Sequence, residues 1–116
     1  MYFSKKQTRL SAYRIMWLFV FFDLPTHTKQ QRKTASGFRK YLLKDGFSML
    51  QYSVYTRHCA SSESADVHTS RIKIKIPDYG HVNVLRITDK QFGNMHNYWG
   101  VNRTRLPYAQ SQLELF

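Results

Sequence analysis

The sequence predicts an α+β fold, a sandwich of one sheet and two helices on the split βαβ pattern, and three observations lead there. Eight apolar residues run from Ile15 to Phe22 in "RIMWLFVFFDLPT", aromatic-rich and continuous, as in a central strand covered on both faces. A lysine-rich amphipathic segment follows, bracketed by Thr28 and Gly46. Two more stretches rich in β-branched and aromatic residues, 47–56 and 81–88, flank a segment that begins with helix-capping residues.

Residues 1–12 carry Lys5, Lys6 and Arg9 among polar neighbours without an apolar period, and read as a basic arm ahead of a single domain at 13–116. The first strand spans Arg14 to Phe22. Asp23-Leu24-Pro25 ends it, because Pro25 lacks a ladder donor and steers the residue before it away from helix. Thr28 and Gln31 have capping-box spacing, and Gly46 supplies a stop, so a helix runs from about Lys29 to Asp45. At about 100° per residue, Ala35, Phe38 and Leu42 share a core stripe. Lys29, Lys33, Lys40 and Lys44 lie almost opposite, with Arg32 and Arg39 on the flank between.

"FSMLQYSVYT" at 47–56 reads as one strand, and 61–64 as a polar loop able to cap a helix. Residues 65–76 fit two periods. Ile72, Ile74 and Ile76 alternate like a strand, whereas Ala65, Ile72 and Ile76 share a helix face. Pro77-Asp78-Tyr79-Gly80 is a turn, "HVNVLRIT" a strand, Thr88 to Gln91 a short helix start, and "LELF" at 113–116 an apolar tail. With a helix at 65–76 the order becomes that of a ferredoxin-like split βαβ sandwich.

Charge narrows the partners. The 116 residues include 18 Lys and Arg against 7 Asp and Glu, a formal +11, which favours a polyanion and nucleic acid above all. With 42% hydrophobic residues the chain has enough apolar surface to fold. Membrane attachment is not expected, since no lipidation motif is evident and the apolar run is far short of the roughly 20 residues that span a bilayer. After Phe22 comes Asp-Leu-Pro-Thr-His in place of a small-residue cleavage site. Cys59 is the only cysteine, so a disulfide framework is excluded and a cytoplasmic setting is expected.

No Gly-rich phosphate loop, Gly-x-Ser-x-Gly elbow or dinucleotide fingerprint appears, and no small-molecule cofactor is expected. His27, His58, His68, His81 and His96 show no zinc-site spacing. Among the acids, Asp45, Asp78 and Asp89 are accounted for by a helix end, a turn and a helix start. Asp23 stands apart, at the end of a rigid strand and beside a basic helix. A carboxylate with many cations suits phosphodiester chemistry, with Mg²⁺ or another divalent cation held by Asp23. One such acid per chain makes a poor metal site; a two-fold homodimer with Asp23 near its axis would supply a second. Lys29, Arg32, Lys33, Arg39, Lys40 and Lys44 are the candidate phosphate contacts.

The strand ending "FFDLP", the helix motif "FRKYLLKDGF" at 38–47, "QYSVYTR" at 51–57 and "VNVLRITDKQF" together resemble the small CRISPR-associated adaptation proteins, endonuclease-like companions of the CRISPR integrase. The resemblance covers 13 to about 92. It implies a ferredoxin-like homodimer, a helix across 65–76, and a C-terminal strand, here "LELF", added to the partner's sheet. It also implies Mg²⁺-dependent endonuclease activity on RNA or DNA, with Asp23 as metal ligand from both subunits. The same family bridges integrase dimers and supports spacer DNA during acquisition, which implies CRISPR integrase dimers and double-stranded spacer DNA as partners, with single-stranded RNA as a further one. Two alternatives differ in class: a non-catalytic DNA-binding scaffold, and a free-standing toxin-like ribonuclease. Many members have tyrosine where this chain has Phe22.

Overall fold

Strand β1 (Met16–Asp23) is one of the two central strands of a four-stranded antiparallel sheet in the order β2-β3-β1-β4. The computed structural model describes residues 14–101. Along the chain β1 is followed by α1 (Lys29–Lys44), β2 (Ser48–Gln51), β3 (Val54–Cys59), α2 (Ser62–Lys75), β4 (His81–Thr88) and α3 (Asp89–Gly93). Strand β3 separates β1 from β2, and β1 separates β3 from β4, which is the ferredoxin-like split βαβ arrangement. The basic arm at 1–12 and the "LELF" strand lie outside the described residues.

Alternation along β1 builds the core. Leu18, Val20 and Phe22 are buried and meet Ala35, Phe38 and Leu42 of α1, Ala65 and Ile72 of α2, and Tyr55 of β3. Each fully buried Leu, Val or Ile among them contributes about 1.5–3 kcal/mol relative to exposure. The opposite parity, Trp17, Phe19 and Phe21, looks onto the other sheet face. There Phe92 of α3 stacks on Trp17 at 3.8 Å between ring centroids, and the Trp17 indole donates to Asp89 Oδ1 at 2.6 Å. Phe21 and Leu85, 37% and 49% exposed, remain uncovered on that face.

The helix starts follow the sequence signals. Thr28 and Gln31 form a reciprocal capping box on α1, Thr88 and Gln91 form another on α3, and Ser61 Oγ accepts from the Ser64 N–H at the start of α2. Gly46 follows α1 with φ +91°, the left-handed conformation that ends a helix at low strain.

One sequence expectation is revised, and one reading left open by the periodicity is settled. The stretch 47–56 is a hairpin of two strands, with Gln51 paired to Val54 across Tyr52-Ser53 and a register shift between Met49 and Gln51. The segment 65–76 belongs to a helix, as the family resemblance implied. Ala65, His68 and Ile72 are buried on one face, while Ile74 is 80% exposed.

Candidate functional site

Asp23 is the last residue of β1 and is held there by its neighbours. In register it lies opposite His81, the first residue of β4, and the preceding Phe22 N–H donates to the Ser53 carbonyl at 3.1 Å. The 77–80 turn closes against the same point. Gly80 has φ +108°, and a Cβ placed on it would lie 2.8 Å from the Asp23 carbonyl oxygen and 2.7 Å from Leu24 Cδ2. Both the backbone conformation and the close approach require glycine.

The Asp23 carboxylate is exposed and makes no hydrogen bond or ion pair among the described residues. It follows Phe19 and Phe21 by strand parity, so it belongs to the open sheet face, and directly opposite cross-strand residues have Cβ atoms about 4.5–5.5 Å apart. His81, exposed as well, is therefore its nearest titratable neighbour across the sheet. Sequence spacing had grouped His81 only with histidines unsuited to zinc, because strand register is a non-local property.

An unpaired hard oxygen donor fits Mg²⁺, which keeps several waters and takes one or two carboxylates. The described residues contain no group of three or more His, Cys, Asp or Glu suited to a metal, so one chain brings a single anionic ligand to such an ion. Bound Mg²⁺ would neutralise charge on phosphate oxygens.

The candidate cations separate into three kinds. Lys29, Lys33, Lys40 and Lys44 are exposed on the side of α1 away from Ala35, Phe38 and Leu42, and hence away from the sheet. The sequence reading set Asp23 beside this basic helix; in the fold the carboxylate belongs to the opposite side of the sandwich. Arg32 is exposed but donates through one nitrogen to the Thr26 and His27 carbonyls, both at 3.2 Å, bracing the β1–α1 loop. Arg39 is a correction. It is 6% exposed, its guanidinium 4.5 Å from the Tyr52 ring centroid and 5.4 Å from that of Phe22, so it serves the core and not a phosphate surface.

A second polar cluster lies away from Asp23. The Asp45 carboxylate, 10% exposed, meets His68 Nδ1 at 2.7 Å and donor Nη1 of Arg71 at 2.9 Å, tying the end of α1 to α2. Burial pushes the Cys59 thiol and the Tyr55 hydroxyl up from their ordinary ranges, against the opposing effects of Arg57 and Arg39 respectively. Neither group is suited to act as an activated nucleophile.

Residues 16–95 match the family model described as CRISPR associated protein Cas2. The chain belongs to this family. A Flavobacterium psychrophilum protein named CRISPR-associated endoribonuclease Cas2 is 52% identical over 114 residues, 98% of this chain and 99% of that protein. Proteins of the same name from Parvibaculum lavamentivorans and Paracidovorax avenae are 52% and 41% identical, over 87% and 92% of this chain and 100% and 99% of their own lengths. The part that matches the Cas2 model runs from the start of β1 to beyond α3, and so includes Asp23, His81 and the lysine face of α1. Among the described residues, no helix of this Cas2 family member is long and apolar enough to cross a membrane.

Proposed function

We propose that this Cas2 family chain is a CRISPR-associated, Mg²⁺-dependent endonuclease that cleaves RNA phosphodiesters. The observation that carries the reading is Asp23: an exposed, unpaired carboxylate on a pinned strand end, within the part of the chain that matches a family whose curated relatives are named endoribonucleases. Asp23 from each of two copies would hold the ion. A two-fold dimer through the open sheet face suits this, because Phe21 and Leu85 offer an apolar surface on the face that also carries Asp23. His81 is placed to hold or move a proton beside Asp23, as imidazoles commonly do in phosphoryl chemistry.

The test is a time course on end-labelled single-stranded RNA and duplex DNA, with Mg²⁺ or chelator, comparing wild type with Asp23→Asn and His81→Asn. RNA cutting that needs the ion and falls at least about 100-fold in either variant is the expected result. Equal cutting by wild type and Asp23→Asn would refute it. Sedimentation equilibrium of wild type and Leu85→Glu checks the dimer, which the charge should dissociate.

A second role is favoured by a separate observation, the four exposed lysines on the far side of α1. We propose that this face carries double-stranded spacer DNA through backbone contacts while the homodimer bridges CRISPR integrase dimers. Because the lysines and Asp23 occupy opposite sides of the sandwich, the two roles are separable: lysine reversals should weaken duplex binding and spare RNA cutting. This division also distinguishes the reading from a free-standing ribonuclease, for which duplex binding and integrase have no part.

A further inference from the structure

A cleft of about 250 Å³ opens between the first turns of α1 and the 77–80 turn. Its size falls below the roughly 300–1,000 Å³ of sites for drug-sized ligands and suits a single ring system. Leu24, Pro25 and Pro77 give it apolar walls, and Gln30, Thr34 and Asp78 bring polar side chains to it. Those three make no side-chain hydrogen bond among the described residues. By contrast, neighbouring Gln31 is committed, its Oε1 accepting from the His27 and Thr28 N–H groups at 2.9 and 3.0 Å. The lining therefore combines fixed apolar walls with polar groups free to engage a ligand.

We infer that this cleft binds one unpaired nucleobase bearing an exocyclic amino group, from the RNA strand whose backbone meets Asp23. The inference rests on the reading of Asp23 as an RNA-cleaving site, and names how that site engages its substrate. Tyr79 lines the cleft and is 76% exposed, too open to be a core residue and available as a stacking surface. It is not on a loose loop, since Gly80 fixes the turn against the Asp23 carbonyl and Leu24. Leu24 and Pro25 directly follow Asp23, so cleft and carboxylate share one end of the sheet.

Chemistry selects the occupant. Asp78 presents a carboxylate, which repels phosphate and accepts a hydrogen bond from an amino group such as the cytosine N4. The Gln30 amide supplies both a donor and an acceptor for the rest of a base edge. Such an edge is free only in an unpaired nucleotide, which is how single-stranded RNA is commonly read.

The test is equilibrium binding by fluorescence anisotropy, with the full-length chain carrying Asp23→Asn to prevent cutting. The probes are oligocytidylate and oligouridylate about ten nucleotides long, and a mixed-sequence DNA duplex. Base stacking on an aromatic contributes about 1–3 kcal/mol, so adding Tyr79→Ala should weaken oligocytidylate binding about 5- to 150-fold, whereas Tyr79→Phe should not. Duplex binding should be unchanged in both. Asp78→Asn should reduce the preference for oligocytidylate over oligouridylate, because the carboxylate no longer favours the amino group. If Tyr79→Ala binds oligocytidylate within twofold of its parent while the wild-type chain still cuts RNA, the cleft assignment is overturned and the Asp23 reading stands. If the parent binds neither RNA and the wild type cuts none, both are overturned.

Discussion

Replacing Gly80 by alanine tests how the candidate site is held. Two effects add. At φ +108° a Cβ-bearing residue is strained by about 1–2 kcal/mol. The new methyl would also sit 2.8 Å from the Asp23 carbonyl oxygen and 3.2 Å from Leu24 Cα, backbone atoms that cannot rotate away, and relieving such overpacking costs about 1–3 kcal/mol. A total of about 2–5 kcal/mol, at about 4 °C per kcal/mol for a domain of this size, lowers the melting temperature by about 8–20 °C. Gly37→Ala is the control. Gly37 lies within α1 with no atom within 4 Å of its Cβ position and no positive φ, so alanine there should stabilise by about 0.5–1 kcal/mol. Thermal melts followed by circular dichroism compare the two. If Gly80→Ala melts within 2 °C of wild type, or both substitutions shift stability in the same direction, the argument that Gly80 pins Asp23 fails. Since the contact is with the backbone of Asp23 itself, RNA cutting should also fall in Gly80→Ala at temperatures where it remains folded.

Other expectations follow from the same geometry. Asp45→Ala removes the acceptor shared by His68 and Arg71 and leaves a buried imidazole without its partner; a loss of about 2–3 kcal/mol in urea denaturation is expected, less in Asp45→Asn. Joint reversal of Lys33 and Lys40 to Glu should make the plot of log duplex affinity against log salt shallower by about 2, near 0.9 per lost phosphate contact, and an unchanged slope would remove that face from the footprint. Burial raises Cys59, Tyr55 and Tyr41, so above the ordinary thiol range of about 8.5 the unfolded chain loses protons first; the folded state then binds more protons and stability falls with rising pH. Denaturation series at rising pH should show this decline, reduced near the thiol range in Cys59→Ala and beyond about pH 10 in Tyr55→Phe.

What the sequence revealed was local. Thr28-x-x-Gln31, Thr88-x-x-Gln91 and Gly46 marked helix ends because the interacting groups lie within one turn of each other. The apolar run marked β1, and its acid marked Asp23, for a similar reason. The isoleucines at 72, 74 and 76 left the period of 65–76 open because only Ile72 enters the core, so their alternation had no sheet face behind it. The hairpin at 52–53 was missed because Tyr-Ser carries none of the Gly or Asn chemistry that usually marks a tight turn. Arg39 looked like a surface cation because its position on the helix wheel was intermediate, and Tyr52 and Phe22, which enclose it, come from other elements. His81 opposite Asp23 and Gly80 against its carbonyl depend on strand register. Neither can be read from spacing along the chain.

The paired Thr-x-x-Gln caps have a consequence for a protein that carries +11 and meets a polyanion. Their hydrogen bonds join hydroxyls, amides and backbone N–H groups, with no ionised side chain among them. Ionic strength, which governs how tightly a phosphate backbone is held, therefore leaves these capping bonds of α1 and α3 in place. The lysine rows can gain and release counterions while these caps hold, so a change in salt is read out near the start of α1 as occupancy of the surface and not as a change in its shape.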